Sequence, residues 1–154
     1  MPARGDDRSP GFAGEHAEMH VLLDRSGSIR TLDASLRQGV DEVLGELASD
    51  ARVRVSTFAS TLTTAAGMSV AEARVHVAEG VPAPGGTTRL YDAVGEFVGA
   101  DARRLEEGGA STTIVIVTDG LDTASQVHDE ASARAVVGRV RAAGGRVLFV
   151  GCNM

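Results

Sequence analysis

The sequence predicts an α/β fold: a mostly parallel sheet between two helical layers, with one antiparallel hairpin strand at an edge. Three observations predict it. Short apolar runs alternate with amphipathic stripes at helical spacing, the order that builds parallel strands joined by helical crossovers. Two of the runs, Val21-Leu22-Leu23 and Thr112–Thr118, are apolar or β-branched at successive positions, so both of their faces must be buried. Finally, 154 residues with 43% hydrophobic and 23% charged side chains suit one globular domain with a real core.

Taken in order, residues 1–15 (MPARGDDRSPGFAGE) are polar and rich in Gly and Pro, and are expected to form a flexible arm before a domain spanning 16–154. Met19–Leu23 reads as a central strand. After a Ser26–Ser28 loop, Leu32, Leu36, Val40, Val43, Leu44 and Leu47 fall on one helical face. Asp33, Asp41 and Glu42 lie off that stripe and are expected to need only solvation. Arg52–Phe58 alternates, with Val53, Val55 and Thr57 on one side, as a strand near an edge does. Thr61–Ala65 would return as its antiparallel partner. Met68–Val81 gives mixed signals, strand-like at Val75 and Val77 and helix-like over Val70–Arg74, and is predicted to be irregular. Pro82 and Pro84 stiffen the approach to Gly85-Gly86.

Leu90, Val94, Phe97, Val98 and Leu105 form a second helical stripe, stopped by Gly108-Gly109; Asp92 in its first turn would serve as a helix-start acid or support a nearby binding site without being one of its ligands. Thr112–Thr118 is a buried strand and Thr123–Asp129 a polar loop. Ala133, Val136, Val137 and Val140 mark a third helix, stopped by Gly144-Gly145, and Arg146–Val150 is the last strand.

Composition excludes several functions. Aromatic residues are 3% with no Trp, too few for a base-stacking platform, and a net charge of −6 opposes a nucleic-acid backbone. All 15 basic residues are Arg, so no chemistry that needs a lysine is available. Cys152 is the single cysteine, which rules out an internal disulfide and a cysteine zinc site; it reads as a small, partly buried residue. The four His are scattered, without zinc spacing and with none beside a Ser as a triad requires. No run is long and apolar enough to span a bilayer, and the N-terminus does not read as a signal peptide, so a cytoplasmic location is expected.

What remains is a cluster of hard oxygen donors. The first strand delivers Asp24, and the loop after it presents Ser26 and Ser28 around Gly27, whose freedom is expected to aim both hydroxyls inward. Ile114–Asp119 ends a second strand in Asp119, and Gly85-Gly86-Thr87-Thr88 can close a third side. Both carboxylates, Asp24 and Asp119, sit at strand carboxyl ends, where ligands bind in folds of this kind. Oxygen-only donors select Mg²⁺, Mn²⁺ or Ca²⁺, and two formal charges suit Mg²⁺ or Mn²⁺ better than Ca²⁺. So few ligands leave a coordination position open for an acidic side chain. Each residue also has a structural use: Asp24 as a helix cap, the serines as turn formers, Asp119-Gly120 as a turn pair. Arg25 and Arg89 flank the cluster and are expected to be solvated loop arginines or, alternatively, to read an acidic partner. Asp122 would orient the Asp119 backbone or serve as a surface acid, and Tyr91 would pack.

Three segments, DRSGS after a strand, GGTTRLYDA in mid-chain and VTDGLDTAS after a later strand, resemble the von Willebrand factor type A domain family, in particular its small bacterial members. The resemblance covers roughly residues 17–153. It implies a Rossmann-like three-layer α/β/α domain with a metal-ion-dependent adhesion site. The matching positions are Asp24, Ser26 and Ser28 in the first loop, then Thr88, and Asp119 as the later acid. It implies a bound Mg²⁺ or Mn²⁺ whose coordination sphere is completed by a Glu or Asp of a protein partner. Family domains usually continue with a further helix and strand; here the chain ends at Met154, so a relay through a mobile C-terminal helix is not expected and the last strand is expected to be an exposed edge. Two other readings compete. One is a Mg²⁺-dependent phosphoryl-transfer hydrolase with Asp24 as nucleophile, although Ser26 replaces the second Asp of that pattern and its Lys is missing. The other is a metal-free scaffold.

Overall fold

Strand β1 (Glu18–Asp24) lies in the middle of a six-stranded sheet of order β3-β2-β1-β5-β6, and a short β4 pairs on β2. The structure is a computed structural model and describes residues 18–64, 67–119 and 124–151. The expected 1–15 arm, Asp122 and Cys152 lie outside the described residues. β2 (Arg52–Phe58), β5 (Thr112–Val117) and β6 (Arg146–Val150) run parallel to β1 or to one another, and β3 (Leu62–Thr64) and β4 (Met68–Ser69) are antiparallel to β2. The expected hairpin strand is therefore present, with a second antiparallel piece beside it. β2 is separated from the edge only by these pieces, and among the described residues β6 pairs only with β5.

The successive apolar residues of β1 and β5 are explained by two cores, one on each side of the sheet. Met19, Val21, Leu23, Val115 and Val117 face Leu36, Val40 and Leu44 of α1 (Asp33–Gly45) and Val70 and Ala73 of α2 (Val70–Val75). Leu22, Ile114 and Ile116 face the other way, onto Leu90, Phe97 and Ala102 and onto Val136, Val137 and Val140 of α5 (Glu130–Ala142). The second stripe is one helical run: α3 (Leu90–Ala93), a π-helical turn (Val94–Val98) and α4 (Gly99–Glu106). Leu32, predicted on the α1 stripe, is 43% exposed because it precedes the helix.

Two expectations fail here. Met68–Val81 is not irregular: it forms β4, α2 and a π-helical turn (His76–Gly80). The missed signal is Ser69 and Glu72, a capping box in which Glu72 N–H donates to Ser69 Oγ (3.1 Å) and Ser69 N–H to Glu72 Oε1 (2.9 Å). Val70, Ala73 and Val77 then face the core at helical spacing. Nor are Asp33 and Asp41 merely solvated. Asp33 accepts from Arg25 and Arg37, and Asp41 from both ends of the Arg74 guanidinium at 2.8 and 3.0 Å. Burial pushes the Asp33 pKa up, but Arg25 and then Arg37 outweigh it and hold it below the usual value.

Candidate metal centre

The chain leaves β1 toward β2 on one side and reaches β5 and β6 on the other, so strand order reverses between β1 and β5. The carboxyl ends of those two strands carry Asp24 and, just past β5, Thr118-Asp119. This is the crevice in which α/β sheets bind ligands.

Asp24 is 1% exposed and Ser26 is fully buried. Asp24 Oδ1 accepts from the Ser26 main-chain N–H at 2.8 Å and from Ser26 Oγ at 2.5 Å, and Ser26 Oγ lies 3.1 Å from Ser28 Oγ. These bonds orient one carboxylate and two hydroxyls within a single loop. The other oxygen, Asp24 Oδ2, accepts from Thr118 Oγ1 at 2.8 Å, which joins the β1 loop to the β5 loop directly before Asp119. Thr118 is fully buried and was read from the sequence only as part of the strand; its hydroxyl at the strand end, next to an Asp, was the available signal.

The glycine-rich loop is stitched to the first loop by main chain. Gly27 N–H donates to Gly86 O (3.0 Å) and Gly85 N–H to Arg25 O (2.8 Å), while Arg89 N–H reaches Ala59 O beyond β2 (3.0 Å). Thr88, on this loop, is 2% exposed. Gly86 has φ 82°, and a Cβ there would stand 2.6 Å from Ser60 Oγ, so the position requires glycine. Gly27, expected to supply the bend, sits in a short 3₁₀ turn (Gly27–Ile29) with ordinary backbone angles, and a Cβ would meet nothing closer than 3.5 Å. The bend is set by main-chain bonds and not by a left-handed glycine.

The structure thus brings together Asp24, Ser26 and Ser28 by direct bonds, places Thr88 on a loop bonded to theirs, and sets Asp119, half-buried, immediately after Thr118. Among the described residues no three His, Cys, Asp or Glu side chains gather as a metal cluster. The candidate donors are therefore two carboxylates with hydroxyls, all oxygen, a set that fits a hard divalent cation retaining water.

Both flanking arginines depart from expectation. Arg25 is 4% exposed: its Nε donates to Pro82 O at 2.7 Å and its Nη1 pairs with Asp33, so it braces the loop from beneath. Arg89 pairs with Asp92 at 2.8–2.9 Å. Asp92 is only 2% exposed, and its carboxylate is turned away from its own helix onto the chain after Asp119, accepting from the N–H groups of Gln126, Val127 and His128. Burial pushes the Asp92 pKa up, but those three main-chain bonds and Arg89 outweigh it and hold the carboxyl at about 2. Tyr91 packs against the second core, as expected.

A second polar cluster lies below the crevice. His20 Nδ1 is 2.6 Å from Asp101 Oδ2 and His20 Nε2 is 2.6 Å from Ser56 Oγ. The sequence showed no His beside a Ser; strand pairing and α4 create one. His20 is 1% exposed and Ser56 and Asp101 are fully buried, so this Ser-His-Asp row is closed to substrate and pins α4 to the sheet. The apolar groove lined by Leu90, Tyr91, Val94, Ala133, Val137 and Phe149, about 310 Å³, contains none of the candidate ligands. No helix among the described residues is long and apolar enough to cross a membrane.

The family profile described as von Willebrand factor type A domain matches residues 18–153. Three similar solved structures are proximal thread matrix protein 1 from the mussel byssus (19% identity, TM-score 0.65, covering 87% of this chain and 37% of that one), manganese-loaded TRAP protein from Plasmodium vivax (20%, 0.65, 88% and 56%) and a von Willebrand factor type A protein from Catenulispora acidiphila (20%, 0.55, 89% and 32%). At these identities the likeness is one of fold, and the chain spans between 32% and 56% of the length of these three proteins. No curated protein sequence matches the chain.

Proposed function

The chain belongs to the von Willebrand factor type A domain family, whose members often take part in metal-dependent protein interactions, and on that premise we propose that it is a divalent-metal-dependent protein-binding module. The observation that carries the proposal is the convergence of three loops at the β1–β5 crevice, with Asp24 held by Ser26 and Thr118 and the glycine-rich loop bonded to the first. Asp24, Ser26, Ser28, Thr88 and Asp119 would hold Mg²⁺ or Mn²⁺, with Ca²⁺ less suited. The bound ion would supply an open, electropositive position for an Asp or Glu of the partner. The protein contributes preorganisation: Ser26 N–H and Thr118 Oγ1 fix Asp24, and Arg25 fixes the backbone under it. The manganese in the TRAP structure belongs to that protein, and supports a hard-cation reading only through the shared fold.

Catalysis is not part of this proposal. Ser26 stands where a phosphoryl-transfer enzyme of the Asp-x-Asp pattern would carry its second acid, there is no Lys, and the Ser56-His20-Asp101 row is buried. The cytoplasmic location expected from the sequence stays part of the proposal.

A cation that binds only the folded state must raise the melting temperature. Melting in EDTA is compared with melting in millimolar Mg²⁺ or Mn²⁺; a rise is expected, and Asp24→Ala and Asp119→Ala should each abolish it. Peptides differing only by Glu→Gln should then separate binders from non-binders in Mg²⁺ and not in EDTA. No metal-dependent rise in the wild-type protein refutes the module reading.

A further inference from the structure

The segment 124–128, which follows Asp119 and precedes α5, is bonded to the start of α3 or to the loop before it at every residue. Ala124 N–H donates to Thr88 O (2.9 Å). Ser125 Oγ accepts from Asp92 N–H (2.9 Å). Gln126 N–H donates to Asp92 Oδ2 (2.9 Å), and Val127 and His128 N–H donate to Asp92 Oδ1 (2.9 and 2.8 Å). The His128 ring then lies against Gly95, where a Cβ would stand 2.3 Å from the ring. An acid placed only to meet a helix dipole would face the N–H groups of its own first turn. Asp92 instead gathers the main chain of another loop, and its remaining partner, Arg89, is the residue after Thr88.

We propose that Asp92 is a positioning residue for the metal centre: without touching the cation, its carboxylate ties residues 126–128 to Arg89, so fixes the Thr88 loop and sets divalent-cation affinity. This rests on the metal-binding reading above. The physical basis is that donors on separate loops act together only if the loops hold their spacing; partners outside the coordination sphere that orient the ligands commonly change metal affinity by about 10- to 100-fold.

The test is Mn²⁺ binding to the folded protein, read from loss of the free-Mn²⁺ electron paramagnetic resonance signal, with amide hydrogen exchange of residues 126–128 followed in parallel. Asp92→Asn keeps the size of the side chain and removes its charge. It should weaken Mn²⁺ binding by about 10-fold or more, alter the spectrum of the bound ion and speed exchange at 126–128. Ser125→Ala, which loosens the other half of the clasp, should give a smaller loss in the same direction and carries the test if Asp92→Asn does not fold. If wild-type protein binds Mn²⁺ and the folded variants bind it equally well while their amides exchange faster, the clasp is purely structural and the proposal is overturned. If wild-type protein binds no Mn²⁺, the metal reading itself fails and takes this proposal with it.

Discussion

Replacing Asp101 by Asn tests how α4 is held to the sheet. The Asp101 carboxylate is fully buried and accepts from His20 Nδ1 (2.6 Å), Arg54 Nη2 (2.7 Å) and Arg104 Nη2 (2.6 Å). Burial pushes its pKa up, but His20 and then Arg54 outweigh it and hold it far below the ordinary carboxylate range. Asn keeps the shape and loses the charge; with its oxygen kept toward the arginines, its amide group faces His20 Nδ1, which can accept only by changing tautomer. Removing one partner from a buried ionic cluster costs about 3–5 kcal/mol. Here the arginines keep part of their compensation: their side chains are 24% and 41% exposed and keep Glu18 at 3.6 and 3.3 Å, although Arg54 Nε is buried without a hydrogen-bond partner among the described residues. His20 keeps only Ser56 among its hydrogen-bond partners. The expected loss is therefore at the low end, about 3 kcal/mol, or roughly 6–12 °C in melting temperature for a domain of this size. Urea and thermal unfolding at pH 7 in EDTA measure it. A loss below about 1 kcal/mol would refute the reasoning, because solvent and Glu18 would then be replacing the carboxylate. Asp101 lies at the opposite end of the α3–α4 run from Thr88, so any Mg²⁺-induced rise in melting temperature should survive in this variant; its loss would show that the cluster does more than hold the helix.

Two further outcomes follow from the Ser69 and Asp92 bonds. Ser69→Ala removes half of the capping box that starts α2 and should cost about 1 kcal/mol in urea unfolding, with unchanged stability counting against the cap. The depressed pKa of Asp92 makes a signed prediction: its contribution is complete above the unfolded carboxyl value near pH 4 and is lost as pH falls toward about 2. That portion, about 2–3 kcal/mol by the size of the shift, should be missing from the acid-unfolding curve of Asp92→Asn; coincident curves for the two proteins would contradict it.

Much of the fold was legible because its signals are local. β1 and β5 could be placed inside the sheet from apolar residues at successive positions, since only a strand buried on both faces needs them. The alternation of strands and helices predicted the parallel crossovers, and Asp24, Ser26, Ser28 and Asp119 could be noticed as oxygen donors at strand ends and loops, whereas their grouping with Thr88 as one ligand set is what the family resemblance implies. Even α2 was readable in principle, through Ser69 and Glu72; its π-helical continuation and the alternating Val75 and Val77 hid the period.

What only the tertiary structure decided are the partners that come from distant parts of the chain. Arg25 looked like a solvated arginine until the start of α1 and the Pro82 carbonyl were folded around it. Asp92 suited both a helix-start acid and a supporting role beside a binding site, because nothing in its neighbourhood reveals that residues 126–128 return to it. His20 had no serine beside it until β2 paired in register and set Ser56 against its ring. The sequence determined which oxygens stand at the strand ends. Folding determined which carboxylates hold the loops together, because that depends on donors 34 to 36 residues away in the case of Asp92.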